Sequence, residues 1–191
     1  MKGKSGWCQH AGGARSRVAV LLLVQMLMAV PLSALAAGDN NLYLHGTLVA
    51  EPCVIPPGDE EITLDFGTII DKYLYLNTRT LGQLFEIHLE ECDLTLGKTV
   101  RVTFTGPESH ALPGLLAIDG GSEARGIAIG FETPSTKPLP LNTKSDKSLL
   151  RDGGNIIALR AYVQGDPLAI ADKTIGRGAF SAVATFNLEY E

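Results

Sequence analysis

The segment Phe180–Glu191, FSAVATFNLEYE, decides the reading of the fold. Phe180, Ala182, Ala184, Phe186, Leu188 and Tyr190 share one parity, while Ser181, Thr185, Asn187 and Glu189 fall on the other. Side chains alternate across a β-strand, so this spacing predicts a strand with one continuous apolar face. Nothing in the given sequence follows Glu191, and soluble monomers avoid leaving an apolar strand edge uncovered. The expectation is a sheet edge that lacks a neighbour of its own.

The same period of two recurs upstream. Ile62, Leu64 and Phe66 alternate with Thr63 and Asp65 before Gly67; Phe85, Ile87 and Leu89 alternate with Glu86, His88 and Glu90 before Cys92; Val100, Val102 and Phe104 precede Gly106-Pro107. Ile127, Ile129 and Phe131 make a further strand, and Leu139 with Leu141 a short one. Ile156 to Val163 is apolar on both parities except at Arg160, which predicts a central strand or one whose second face is covered. No long window has helical periodicity, and Pro113 and Gly114 limit Ser109–Leu116 to a turn. Many short strands punctuated by turn residues predict an all-β sandwich of the immunoglobulin-like kind. At the front, Asn40, Leu42, Leu44, Gly46 and Leu48 share one parity. That segment could supply the missing neighbour to another molecule or pair within its own chain, and patterning does not choose between them.

Residues 1–36 read as a secretory signal peptide. Lys2, Lys4, Arg15 and Arg17 form a basic start, and the 13-residue run Val18–Val30 contains one polar residue, Gln25. That run is too short for a membrane-spanning helix and suits a signal segment, with Ala34-Leu35-Ala36 placing cleavage before Ala37. The remaining chain carries 12 Lys and Arg against 21 Asp and Glu, a net charge of −9. Such a balance argues against nucleic acid or anionic membranes as partners. Cys8 leaves with the leader, so Cys53 and Cys92 remain, 39 residues apart. In an oxidising compartment a disulfide is the simplest reading, because neither a CxxC spacing nor Cys-His clustering supports the alternative of a metal pair, and two buried thiols are the other.

Taken in order, these motifs resemble the structural pilins of the bacterial chaperone–usher pathway, and among them the minor tip and adaptor subunits of P-type and type 1-like fimbriae. NLYLHGTLVAEPC sets Gly46 seven residues before Cys53, and FEIHLEEC carries the second cysteine. VRVTFTGPESHALPGLLAI is similar to a strand and loop of P-pilus minor subunits, RAYV to the strand before the final hairpin, and AFSAVATFNLEYE, with Gly178 fourteenth from the end, to the C-terminal signature. The likeness spans residues 40–191.

The resemblance implies an incomplete immunoglobulin-like β-sandwich over residues 51–191, pinned by Cys53–Cys92, with residues 37–50 as an N-terminal donor-strand extension. A periplasmic chaperone would lend a strand beside the last strand, and at an outer-membrane usher the extension of the next subunit would replace it. Asn40, in the outermost position, with Leu42, Leu44, Gly46 and Leu48, would form the donor face. Gly178, Phe180, Ala182, Ala184, Phe186, Leu188 and Tyr190 would form the acceptor edge and chaperone contact, and the main-chain carboxylate of Glu191 would meet basic residues of the chaperone. Gly46 has two readings: a tolerated turn, or a place where a side chain would collide with the acceptor's core.

Chemistry is not expected. His45 and His88 fall on outward parities, and no nucleophile elbow, metal triad or phosphate-cradling motif accompanies them or His110. No catalytic residue, metal or cofactor is assigned. The alternative is a self-contained secreted host- or carbohydrate-binding β-sandwich with its site in loops such as 120–126 or 133–140. A chain-terminating subunit without a usable donor strand is a third reading, against which the alternating NLYLHG argues. The expected destination is the cell surface, by way of the periplasm.

Overall fold

A computed structural model of the protein describes residues 42–191; the expected signal peptide and cleavage site and Asn40 lie outside the described residues. Residues up to Thr47 and the run Leu48–Glu191 are separate units. In the first, Leu42 to Thr47 form no helix or strand, and Leu42 and Leu44 are more than four-fifths exposed.

The second unit is an antiparallel β-sandwich. Its strands are β1 (Gln83–Cys92), β2 (Thr99–Thr105), β3 (Leu116–Ala117), β4 (Ile127–Glu132), β5 (Pro138–Leu139), β6 (Ser148–Leu149), β7 (Gly153–Gly165) and β8 (Thr185–Tyr190). One sheet runs β1-β7-β4-β3, with β5 also on β4, and the other runs β6-β2-β8. The predicted central strand is β7, which pairs with β1 from Ala161 to Gly153 and with β4 from Gly165 to Arg160.

Alternation builds the core. Ile87 and Leu89 of β1, Val100, Val102 and Phe104 of β2, and Leu159 and Val163 of β7 are all buried, while their neighbours of opposite parity in β1 and β2 face outward. Phe104 stacks on Phe131 with ring centroids 4.2 Å apart, joining the two sheets, and Phe85 meets both rings edge-on at 6.1 and 6.3 Å. Cys92 has the wrong parity to follow Leu89 into this core. A β-bulge corrects it: Glu91 adopts φ 51°, the register shifts between Leu89 and Cys92, and Cys92 turns inward to bond Cys53.

Two expectations need correcting. Ile62–Phe66 keeps its predicted alternation but joins no ladder. A two-turn helix, α1 (Asp71–Asn77), was not anticipated, since Leu74 alone among its residues is buried and seven residues are too few to reveal a period. A second short helix, α2 (Pro167–Ala171), starts where Asp166 accepts a hydrogen bond from Leu168 N.

The outer face of the larger sheet carries a polar cluster. Glu132 is 1% exposed and accepts from Arg79 at 2.8 Å, and the Arg79 guanidinium lies 4.1 Å above the Tyr162 ring. That ring crosses Gly130, where a Cβ would stand 2.2 Å from Tyr162 Cζ, so only glycine leaves room for it. Arg79 is one-third exposed and can rehydrate if its partner is lost. Glu132→Ala is therefore expected to lower stability by roughly 1–3 kcal/mol, below the cost of breaking a fully buried pair. Protease resistance across a urea series measures this without requiring a purified monomer.

Candidate strand-acceptor groove

β8 is paired along one edge only. Its six residues run antiparallel to β2, from Val100 opposite Tyr190 to Thr105 opposite Thr185, and among the described residues nothing pairs with the other edge. The predicted strand is shorter than its apolar parity: Phe186, Leu188 and Tyr190 lie in β8, while Phe180, Ala182 and Ala184 precede it in a stretch that leaves the ladder, where the Ser181 and Ala179 carbonyls accept from Asp119 N and Glu123 N at 2.8 Å each. Phe180, Ala182, Ala184, Phe186, Leu188 and Tyr190 all pack against the core, yet each is only half-buried. Strands of comparable pattern elsewhere in the molecule bury their apolar face, as β2 does. The difference is a missing layer above β8.

A second row faces the same gap. Ile62, Leu64 and Phe66 also pack on the core without being buried, and Ile62–Phe66 makes no backbone–backbone hydrogen bond with any described residue. The few contacts here come from side chains: Gly67 N donates to Asp65 Oδ1 at 2.8 Å, and Gln83 Nε2 donates to the Asp65 carbonyl at 2.8 Å. Two extended segments thus border one apolar cleft with unpaired main chain on both sides. Half-buried main-chain N–H and C=O groups need partners, and an inserted strand supplies them to both rims at once.

The ends of the cleft differ. At the Phe180 end the rims meet: the Phe66 and Phe180 rings approach to 6.2 Å, and Arg177 donates from Nε and Nη2 to Asp71 Oδ2 at 2.9 and 2.7 Å. Gly178 belongs to this end. It sits at φ 139°, and a Cβ there would stand 2.3 Å from Glu123 Cβ, so the chain can pass this close only as glycine. At the Tyr190 end the Glu191 main-chain oxygen accepts from Lys98 N and Thr99 N at 2.8 and 3.0 Å, while its side chain pairs with Lys147 at 2.5 Å and Arg101 at 3.2 Å. Lys147, with help from Arg101, holds the Glu191 carboxyl below the usual range, and burial pushes the Tyr190 phenol up.

The rim Ile62–Phe66 is the part of the cleft that sequence reading missed. Its alternation was visible, but an ordinary paired strand and an unpaired rim have the same period. The loop before it is tied to β1 by His88, whose Nδ1 lies 2.9 Å from Asp59 and Nε2 3.4 Å from Glu86. Asp59 chiefly, and Glu86, raise the pKa of this imidazole. The described residues contain no cluster of three or more His, Cys, Asp or Glu able to hold a metal.

The sequence profile described as fimbrial protein matches residues 42–191. The chain belongs to the fimbrial protein family. This fimbrial subunit is 36% identical to the major MR/P fimbria protein of Proteus mirabilis, over 90% of this chain and 96% of that one. It is 33% identical to the fimbrial adapter PapK of Escherichia coli, over 86% of this chain and 96% of that one. Its fold is similar to the crystal structure of the P pilus rod subunit PapA, with a TM-score of 0.63, 29% identity, and coverage of 74% of this chain and 100% of that one. The molecule is a structural subunit of a chaperone–usher fimbria on the cell surface, built on an incomplete sandwich, and not an enzyme.

Proposed function

We propose that the subunit polymerises by accepting the N-terminal segment of a neighbouring subunit into the cleft between β8 and Ile62–Phe66, and by donating its own Leu42, Leu44, Gly46 and Leu48 face, with Asn40 at its start, to the next. The observation that carries this is the double rim of unpaired main chain over half-buried apolar side chains. The donor is present in the same chain: Leu42, Leu44 and Leu48 are each at least 82% exposed. Burying one such leucine stabilises by roughly 1.5–3 kcal/mol, so three of them with a new hydrogen-bonded ladder make a strong contact. Donor and acceptor are different surfaces, so the contact is head-to-tail and propagates into a fibre.

Before assembly the cleft needs another occupant. A periplasmic chaperone strand fills that role in this reading, and an outer-membrane usher is where the exchange takes place. The basic and acidic side chains around Glu191 would form the chaperone's anchoring end. Expression of the mature chain alone in the periplasm is expected to yield aggregated or degraded protein, and co-expression with the chaperone a 1:1 complex, resolved by size exclusion and native mass spectrometry. A stable solitary monomer with a filled cleft would overturn the proposal.

Within the fibre we place the subunit at a minor, tip or adaptor position. The likeness of Val100–Ile118 to P-pilus minor subunits and the match to PapK support this, while the match to a major fimbria protein favours the rod. Immunogold labelling confined to fibre ends or junctions, against labelling along the shaft, decides between them.

A further inference from the structure

We propose that the Asp71–Arg177 ion pair is a clasp across the closed end of the cleft that slows the seating of an incoming strand. This rests on the strand-acceptor reading above and concerns a control on it that is specific to this chain. Where the two rims converge there is a pocket of about 190 Å3. Its floor is apolar and buried: Leu74, Ala124 and Val163 are 2%, 3% and 0% exposed. Its walls include Ile69, just after the Ile62–Phe66 rim, and Phe180, just before β8.

The ion pair also lines this pocket, and its two side chains lie at different depths. The Asp71 side chain is 15% exposed and that of Arg177 81%, so the pair lies at the mouth with the guanidinium on the solvent side. A side chain reaching the apolar floor has to pass it. No other hydrogen bond among the described residues joins α1 to residues 172–180, so this pair is the polar tie between the rims at that end.

Both partners are mounted on segments that hold themselves. Arg125 and Gly176 exchange hydrogen bonds of 3.1 and 3.0 Å beside Arg177, and the C-terminal side of α1 is fixed by Gly165 N donating to the Thr78 carbonyl at 2.9 Å. Breaking the pair therefore frees the mouth without unfolding either wall. Each partner stabilises the charged form of the other, so the clasp stays ionised at neutral pH.

The test uses the chaperone complex of the mature chain and a peptide of residues 39–50 as the incoming strand, with displacement followed by native mass spectrometry. Asp71→Asn and Arg177→Gln are each expected to speed displacement by about two- to fivefold, the range corresponding to an exposed ion pair. Added salt should accelerate the wild type more than these variants, because screening does the same work as removal at the clasp while the charges around Glu191 respond alike in every complex. Arg177→Lys keeps the charge and should stay close to the wild-type rate, and the melting temperatures of all four complexes should lie within a few degrees of one another, as loss of an exposed pair implies. Variant rates at or below wild type, or a wild-type rate indifferent to salt, overturn the clasp. A wild-type complex that takes up neither this peptide nor the N-terminal segment of a neighbouring subunit overturns the strand-acceptor reading itself, and does so before any variant is compared.

Discussion

Replacing Gly46 by leucine is expected to abolish fibres while leaving chaperone capture at wild-type levels. Among the described residues the substitution meets nothing, since a Cβ at Gly46 has no heavy atom within 4 Å. Any penalty must therefore arise when the segment is buried in another molecule. There Gly46 shares its parity with Leu42, Leu44 and Leu48, which directs it between the sheets and not to solvent. An extra side chain forced into a close-packed interior costs about 1–3 kcal/mol or shifts the strand register by two residues, which strips the leucines from their places. The measurement is paired: the yield of the 1:1 chaperone complex, and fibre counts by electron microscopy in cells carrying the variant. Fibres in normal number would assign Gly46 to a mere turn.

Loss of the Cys53–Cys92 disulfide is expected to have the largest effect on the subunit itself. A cross-link between residues 39 apart restricts the unfolded chain, which corresponds to roughly 4 kcal/mol in the chain-entropy model. Its position adds to that figure. Cys53 stands at the head of the segment that becomes the Ile62–Phe66 rim, and the other nearby ties are Val54 exchanging hydrogen bonds with Glu90 at 2.9 and 2.8 Å and Asp93 N donating to Pro52 at 2.7 Å. Both sulfurs belong to residues 2% exposed. Cys53→Ser with Cys92→Ser should sharply lower the yield of chaperone complex and make residues 51–69 the first protease cleavage region. An unchanged yield and cleavage pattern would show that β1 holds the rim without the bond.

The parts of the fold that sequence revealed are those in which one residue's environment follows from its neighbours two away. β1 and β2 bury the parity that their apolar residues mark, β8 half-buries it, and β7, apolar on both parities, lies inside its sheet. Periodicity failed where burial is too brief to repeat, as in α1 with Leu74 alone buried, or where a backbone irregularity resets the count, as at Glu91. The outward placement of His88 was legible, whereas its ties to Asp59 and Glu86 were not, because they depend on a loop folding back.

By itself the sequence determined the strand faces, a disulfide as the simplest state of Cys53 and Cys92, and the apolar face of the strand that ends at Tyr190, since each follows from local chemistry and spacing. Tertiary structure alone decided what borders that strand. It set Ile62–Phe66 opposite β8 across an open cleft and brought Asp71 to Arg177 across 106 positions of chain. No local pattern encodes such neighbours: an unpaired rim and a paired strand alternate identically, and only the packing of the two sheets shows which one lacks its hydrogen bonds.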